Sequence, residues 1–194
     1  MKSYLLGIDI GTSACKVAIF DRNGRVLAAE SGDYPVYYPH EGWAEQNPEE
    51  WWKAVCTAVR RIIASAEIAP EDIAGVGIDG QSWSAIAVDK KGRVLTNTPI
   101  WMDTRAQSIC DRLNREIGAE EIFKVAGNSL QPSYTTAKIL WYKENLPEVY
   151  KNTYKILQSN SYIAYKLTGA MTQELSQGYG LHCFDMRRGV WDEK

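Results

Sequence analysis

The chain has 194 residues, 45% of them hydrophobic and 24% charged, a composition that belongs to folded domains and excludes disordered, collagen-like and repeat chains. Its 22 basic and 24 acidic residues leave a net charge of −2, which excludes the basic footprint of a nucleic-acid binder. No apolar run is long enough for a membrane span, the N-terminal MKSYLLGIDIG turns polar too early for a secretion signal, and four cysteines without CxxC spacing beside two histidines make no metal set, so a reducing cytoplasm is the expected setting.

Residues 4–10 and 14–20 read as strands joined by Gly11-Thr12-Ser13, and the turn Asp21-Arg22-Asn23-Gly24 leads into a third over residues 25–30, so three antiparallel strands open the chain. An aromatic loop through Tyr34, Tyr37, Tyr38, His40 and Trp43 then reaches Asn47-Pro48-Glu49-Glu50. There Asn47 suits a helix cap, Pro48 the first helical position and Glu50 the far side of a capping box. The helix runs to about residue 66, with Trp51, Val55, Ala58, Val59 and Ile62 spaced as a buried stripe. Strands are predicted over 73–80 and 84–89, a short extended piece over 99–102, and helices over 104–117, 137–145 (closed by Pro147) and 161–168 (closed by Gly169). Residues 171–194 hold a further strand pair, with no closing element recognisable at 191–194. Strands, one helix, strands, then a helical half predict an α/β fold with a mixed sheet.

The sharpest local motif is GIDIGTS at residues 7–13. An acid at a strand end followed by a Gly-Thr-Ser turn can present backbone amides and hydroxyls to a phosphate while Asp9 holds a hydrated Mg²⁺. The same three residue types also make ordinary hairpin turns. Residues 75–80 match GxGxxG, but a strand follows where a dinucleotide fold needs a helix. Ser13 to Lys16 matches SxxK, but on a strand rather than a helix. A second constellation pairs Gln81, Ser82 and Trp83 with Trp101, Asp103 and Arg105, each group just past a strand. Amide, carboxylate, guanidinium and indole are the groups that bind a polyol. They equally suit core aromatics, with Asp103 capping the next helix and Arg105 in solvent.

Taken in order, GIDIGTSACKVAIFD, WAEQNPEEWW, GIDGQSWSAIAVD, PIWMDTRA, TTAKILWYKENLPEVY and SNSYIAYKLTG resemble the N-terminal domain of the FGGY carbohydrate kinases, in a form most similar to xylulokinases. The resemblance implies a ribonuclease-H-like, actin-like ATPase domain and phosphoryl transfer from MgATP to a hydroxyl of a ketopentose or related polyol. It places Asp9 near the metal, Gly11, Thr12, Ser13 and Lys16 near the ATP phosphates, and Gln81, Ser82, Trp83, Trp101, Asp103 and Arg105 at the substrate, with Ser133 or Tyr134 as another pocket wall. Ser82 and Trp83 depart from the Met-His of xylulokinases and the Arg-Glu of glycerol kinases, and Gln177 falls near a position often acidic in xylulokinases, so the sugar is left unassigned. The catalytic base and adenine site of such kinases are expected beyond Lys194, in a C-terminal domain that would be this chain's partner. The chain alone is therefore expected to be inactive. A catalytically silent sugar- or nucleotide-binding module is the alternative. The aromatic loop over residues 34–43 suits a homodimer interface, a pocket rim or the core equally.

Overall fold

A computed structural model describes residues 3–192; residues 1, 2, 193 and 194 lie outside it. Strands β1 (Tyr4–Ile10), β2 (Ala14–Phe20) and β3 (Val26–Asp33) are antiparallel, and β5 (Ile73–Gly80) adds parallel to β1, giving the order β3-β2-β1-β5. The mixed sheet opening on three antiparallel strands is thus the expected one, although β3 runs three residues past the predicted end. Strand alternation sends Leu6, Ile8, Ile10, Cys15, Val17 and Ile19 to one face, where all are buried.

Helix α1 (Pro48–Ser65) covers that face with Trp51, Val55, Ala58 and Ile62 buried and Val59 packed alongside. Asn47 caps it, its Oδ1 accepting from the Glu49 N–H. The expected capping box is corrected: the Glu50 carboxylate accepts from the Tyr37 hydroxyl instead, 2.9 Å away, because the aromatic loop passes within its reach. Helix α6 (Ser159–Thr168) also packs on the sheet and ends at Gly169 with φ 78°, the left-handed stop expected there.

A second core gathers Ala85, Ala87, Ile109, Cys110, Leu130, Ala137, Trp141 and Tyr142. It packs α2 (Gln107–Leu113), α3 (Ala119–Ala126) and α4 (Thr135–Asn145) around the segments that leave the sheet. The predicted strand over 84–89 shrinks to β6 (Ile86–Val88), paired with β8 (Lys155–Leu157). The extended piece at 99–102 is β7 (Thr98–Pro99), paired with β4 (Glu45–Gln46), after which residues 101 and 102 turn. The helix predicted over 104–117 starts only at Gln107 and gives way to a π-turn at Asn114–Gly118. Pro147 both follows α4 and opens the short helix α5 (Pro147–Asn152). The expected strand pair near the end is β9 (Phe184–Asp185) with β10 (Val190–Trp191).

Candidate phosphate and substrate site

Gly11, Thr12 and Ser13 form the β1–β2 turn, closed by the Gly11 N–H on the Ala14 carbonyl at 3.0 Å. A Cβ at Gly11 would lie 2.9 Å from that carbonyl oxygen, so the turn requires glycine here. All three turn carbonyls are engaged. Gly11 O accepts from the Tyr34 hydroxyl at 2.6 Å and from Gln81 Nε2 at 3.4 Å, Thr12 O from Gln46 Nε2 at 2.8 Å, and Ser13 O from the Tyr34 N–H at 3.2 Å. The N–H groups of Thr12 and Ser13 make no hydrogen bond among the described residues. A turn with its carbonyls tied back and successive amides free is built as an anion cradle.

Asp9 sits at the foot of this turn. It pairs across β2 with Lys16 and in parallel register with Asp79, so the three side chains share the sheet face opposite α1. They line a groove of about 440 Å³ floored by Gly7, Ala18 and Gly77. Asp9 makes no hydrogen bond or ion pair among the described residues, and Asp79 accepts only from the Gly80 N–H at 2.8 Å. No group of three metal-ligating side chains exists among those residues. One or two carboxylates are nevertheless what Mg²⁺ takes from a protein when phosphates and water complete its shell. A larger cavity, about 700 Å³, lies around Gly92, Arg93 and Lys166 and is lined by none of the phosphate, metal or substrate residues expected from the sequence.

Gln81 and Trp101 reach the turn from the other side. Gln81 Nε2 bonds Gln46 Oε1 at 2.7 Å, and the Gln81 N–H continues from β1 onto Ile10 O at 2.7 Å. Trp101, 44% exposed, donates its indole N–H to Thr12 Oγ1 at 3.0 Å. Thr12, Gln46, Gln81 and Trp101 are therefore one hydrogen-bonded unit. Ser82 leads from it to a second cluster through Gln177 Nε2, 3.4 Å from Ser82 Oγ. There the Trp83 ring meets Tyr134 edge-on at 4.6 Å, and Tyr134 meets Tyr179 at 5.9 Å. Burial, with Tyr179 beside it, pushes the Tyr134 hydroxyl up to about 12. Ser133 is half-buried next to this cluster.

Asp103 and Arg105 correct the sequence reading. Asp103 is fully buried, its carboxylate accepting from the Ala44 and Arg105 N–H groups and from the Arg105 guanidinium. The Arg105 side chain is 2% exposed, bonded to Glu45 at 2.8 Å and stacked on Trp43 at 3.7 Å. Neither offers a polar atom at the surface, so both support the loop from below rather than line it. The alternative of an Asp103 helix cap and a solvated Arg105 fails too, since α2 begins after Ala106 without a side-chain cap. In the aromatic loop, Tyr34 and Trp43 face inward while Tyr38 points out.

Sequence reasoning missed Gln46, Lys138 and Gln158, and left Tyr34 open between core, pocket rim and interface. Lys138 is fully buried, its Nζ donating to the carbonyls of Trp83 and Ile100 at 2.8 Å each. Burial pulls its pKa down to about 7, opposed by Asp103 and assisted by Arg105. Its position was readable: it falls on the helical stripe of Thr135, Lys138, Trp141 and Tyr142, where a charge is out of place.

Comparison with known proteins settles the family. Residues 4–194 match the model of the FGGY family of carbohydrate kinases, N-terminal domain. The chain belongs to that family. It is 32% identical to a xylulose kinase of Bacillus subtilis over 97% of its own length and 38% of the relative's. It is 29% identical to a glycerol kinase of Thermococcus gammatolerans, covering all of this chain and 40% of that one. A crystal structure of a xyloylose kinase from Brucella ovis superposes with a TM-score of 0.90 at 30% identity, over 97% of this chain and 38% of that one. The FGGY chain described here thus spans well under half the length of these relatives, and its fold is the actin-like one of the family's N-terminal domain.

Proposed function

We propose that this chain is the substrate-binding N-terminal part of a longer ATP-dependent carbohydrate kinase, which transfers a phosphoryl group from MgATP to a hydroxyl of a ketopentose such as xylulose or a related polyol. The observation that carries the reading is the Gly11–Thr12–Ser13 turn, its carbonyls tied back and its amides free, hydrogen-bonded directly to Gln81 and Trp101. Phosphoryl transfer needs phosphate and acceptor hydroxyl held side by side, and most of its catalysis is positioning and charge stabilisation. A phosphate cradle and an amide-and-indole surface on one rigid unit are suited to that. Two buried amide oxygens, Gln81 Oε1 and Gln177 Oε1, have no hydrogen-bond partner among the described residues, and sugar hydroxyls would supply the missing donors.

In this reading Thr12 and Ser13 donate to the ATP phosphates, with Lys16 adding positive charge. Asp9, with Asp79 beside it, would hold Mg²⁺, whose charge offsets that of the phosphate oxygens. Trp101 offers a flat face to sugar C–H groups. No residue of this chain is assigned as the base. The xylulose and glycerol kinases among its relatives frame the substrate class.

The test is sugar-dependent ADP release by the full-length protein over a panel of ketopentoses, aldonates and glycerol. Asp9→Asn is expected to lower kcat by about 100-fold or more, as loss of a metal-positioning group does in such sites. Sugar binding without any ADP release would replace this reading with a silent binding module.

A further inference from the structure

We infer that Lys138 is a positioning residue that fixes the shape of the substrate pocket by tying the backbones of its two loops to one helix. The inference rests on the reading of those loops as the sugar site.

Trp83 has φ 67°, left-handed backbone that a bulky side chain avoids. Such a conformation persists only where its surroundings over-determine it. Here they do so from both ends of the residue. The Trp83 N–H donates to Gln158 Oε1 at 2.8 Å, and its carbonyl accepts from Lys138 Nζ at 2.8 Å. The ring is held as well, edge-on to Tyr134 and so close to Gly180 that a Cβ there would lie 2.4 Å from it.

The same Nζ donates to the Ile100 carbonyl, one residue before Trp101. One buried amine therefore joins the backbones of the Gln81–Trp83 and Ile100–Trp101 loops, which lie far apart in sequence. The rest of the α4 face acts alike. Thr135 Oγ1 donates to the Ser84 carbonyl at 3.4 Å and the Tyr142 hydroxyl to the Ala85 carbonyl at 2.9 Å. Residues 83–85 leave the sheet between β5 and β6, so their carbonyls lack ladder partners and find them on this helix. An apolar side chain could fill the Lys138 position. An amine is costly to bury, and both of its hydrogen bonds go to loop carbonyls. Lys138 thus touches no ligand itself and acts through Trp83 and Trp101.

The test uses the full-length protein. Lys138→Met keeps an unbranched stem, one heavy atom shorter, and removes the donors. It is expected to raise the sugar KM by about 10- to 100-fold while the ATP KM stays within about twofold. Lys138→Gln, with two N–H donors on a shorter stem, is expected to recover part of the loss. An unchanged sugar KM, or equal rises in both KM values, overturns the inference. Wild-type protein without sugar-dependent ADP release retires the kinase reading instead, and the inference is then judged on the crystal structure of Lys138→Met, where a Trp83 that keeps its positive φ overturns it. Should neither variant fold, a structure of the wild-type protein with sugar decides: both Lys138 bonds are expected to persist, and loss of either overturns it.

Discussion

A lysine amine without access to water couples stability to pH in a direction set by its burial. Lys138 faces Asp103, Arg105 and Tyr142, with Glu45 behind Arg105, and burial holds its pKa at about 7 against an ordinary 10.5. Between those values the unfolded chain binds a proton that the folded chain does not, so the residue makes the fold less stable as pH falls from 10.5 and adds no further change below about 7. Other groups oppose this trend, since burial also raises the Cys15 and Cys110 thiols. The difference between wild type and Lys138→Met removes them from the comparison. Wild-type stability is expected to gain on the variant from pH 7 to 9 by up to about 1.4 kcal/mol per pH unit, measured by urea unfolding at each pH. A constant difference across that range would mean that Lys138 is charged in place. At Gly11 the limit is steric. Gly11→Ala forces a Cβ to within 2.9 Å of the Ala14 carbonyl and so opens the turn, and kcat/KM for ATP in the full-length protein is expected to fall by about 10-fold or more.

Helix α1 is held by one cap and one buried stripe, both carried by its own residues. Trp51 is fully buried against the sheet, and Trp51→Ala is expected to cost about 3–5 kcal/mol of unfolding free energy. Asn47→Ala removes a single cap bond and is expected to cost about 1 kcal/mol. Equal losses in the two variants would show that packing is not what holds this helix. Cap, Pro48 and apolar stripe are all local signals, which is why α1, β1, β2 and β5 were legible in the sequence. Strand β4 was not, because two residues become a strand only when Thr98 and Pro99 arrive beside them. Helix α3 was hidden for another reason: Gly118, at φ 95°, and the π-turn before it break the helical pattern over 104–126 into two pieces. In the site, the glycine turn and both tryptophan loops stood out by residue type. Gln46 did not, since a buried amide looks like a solvated one until the carbonyls it serves are placed, whereas Lys138 shows only as a charge on the buried stripe of its helix.

At the scale of the molecule, the sheet is covered on one face by α1 and α6, while Asp9, Lys16 and Asp79 lie open on the other. A phosphoryl group in transfer must be surrounded: charge on its outer oxygens needs donors from more than one side, and the acceptor hydroxyl must lose its proton to a base. In the proposed reading this chain provides a cradle and a polyol surface on one side, and the base and the adenine site belong to the rest of the full-length protein. The relatives are more than twice as long as the stretch they share with it. A polypeptide of these 194 residues alone is therefore expected to release no ADP in response to any sugar, while the full-length protein does so under the same conditions. Water attack on bound ATP gives sugar-independent ADP, so the comparison is made with and without sugar at equal ATP and Mg²⁺. Sugar-dependent release by the short chain would mean that one of its own carboxylates serves as the base. Asp9 and Asp79, the two carboxylates beside the cradle, would then be the first to replace.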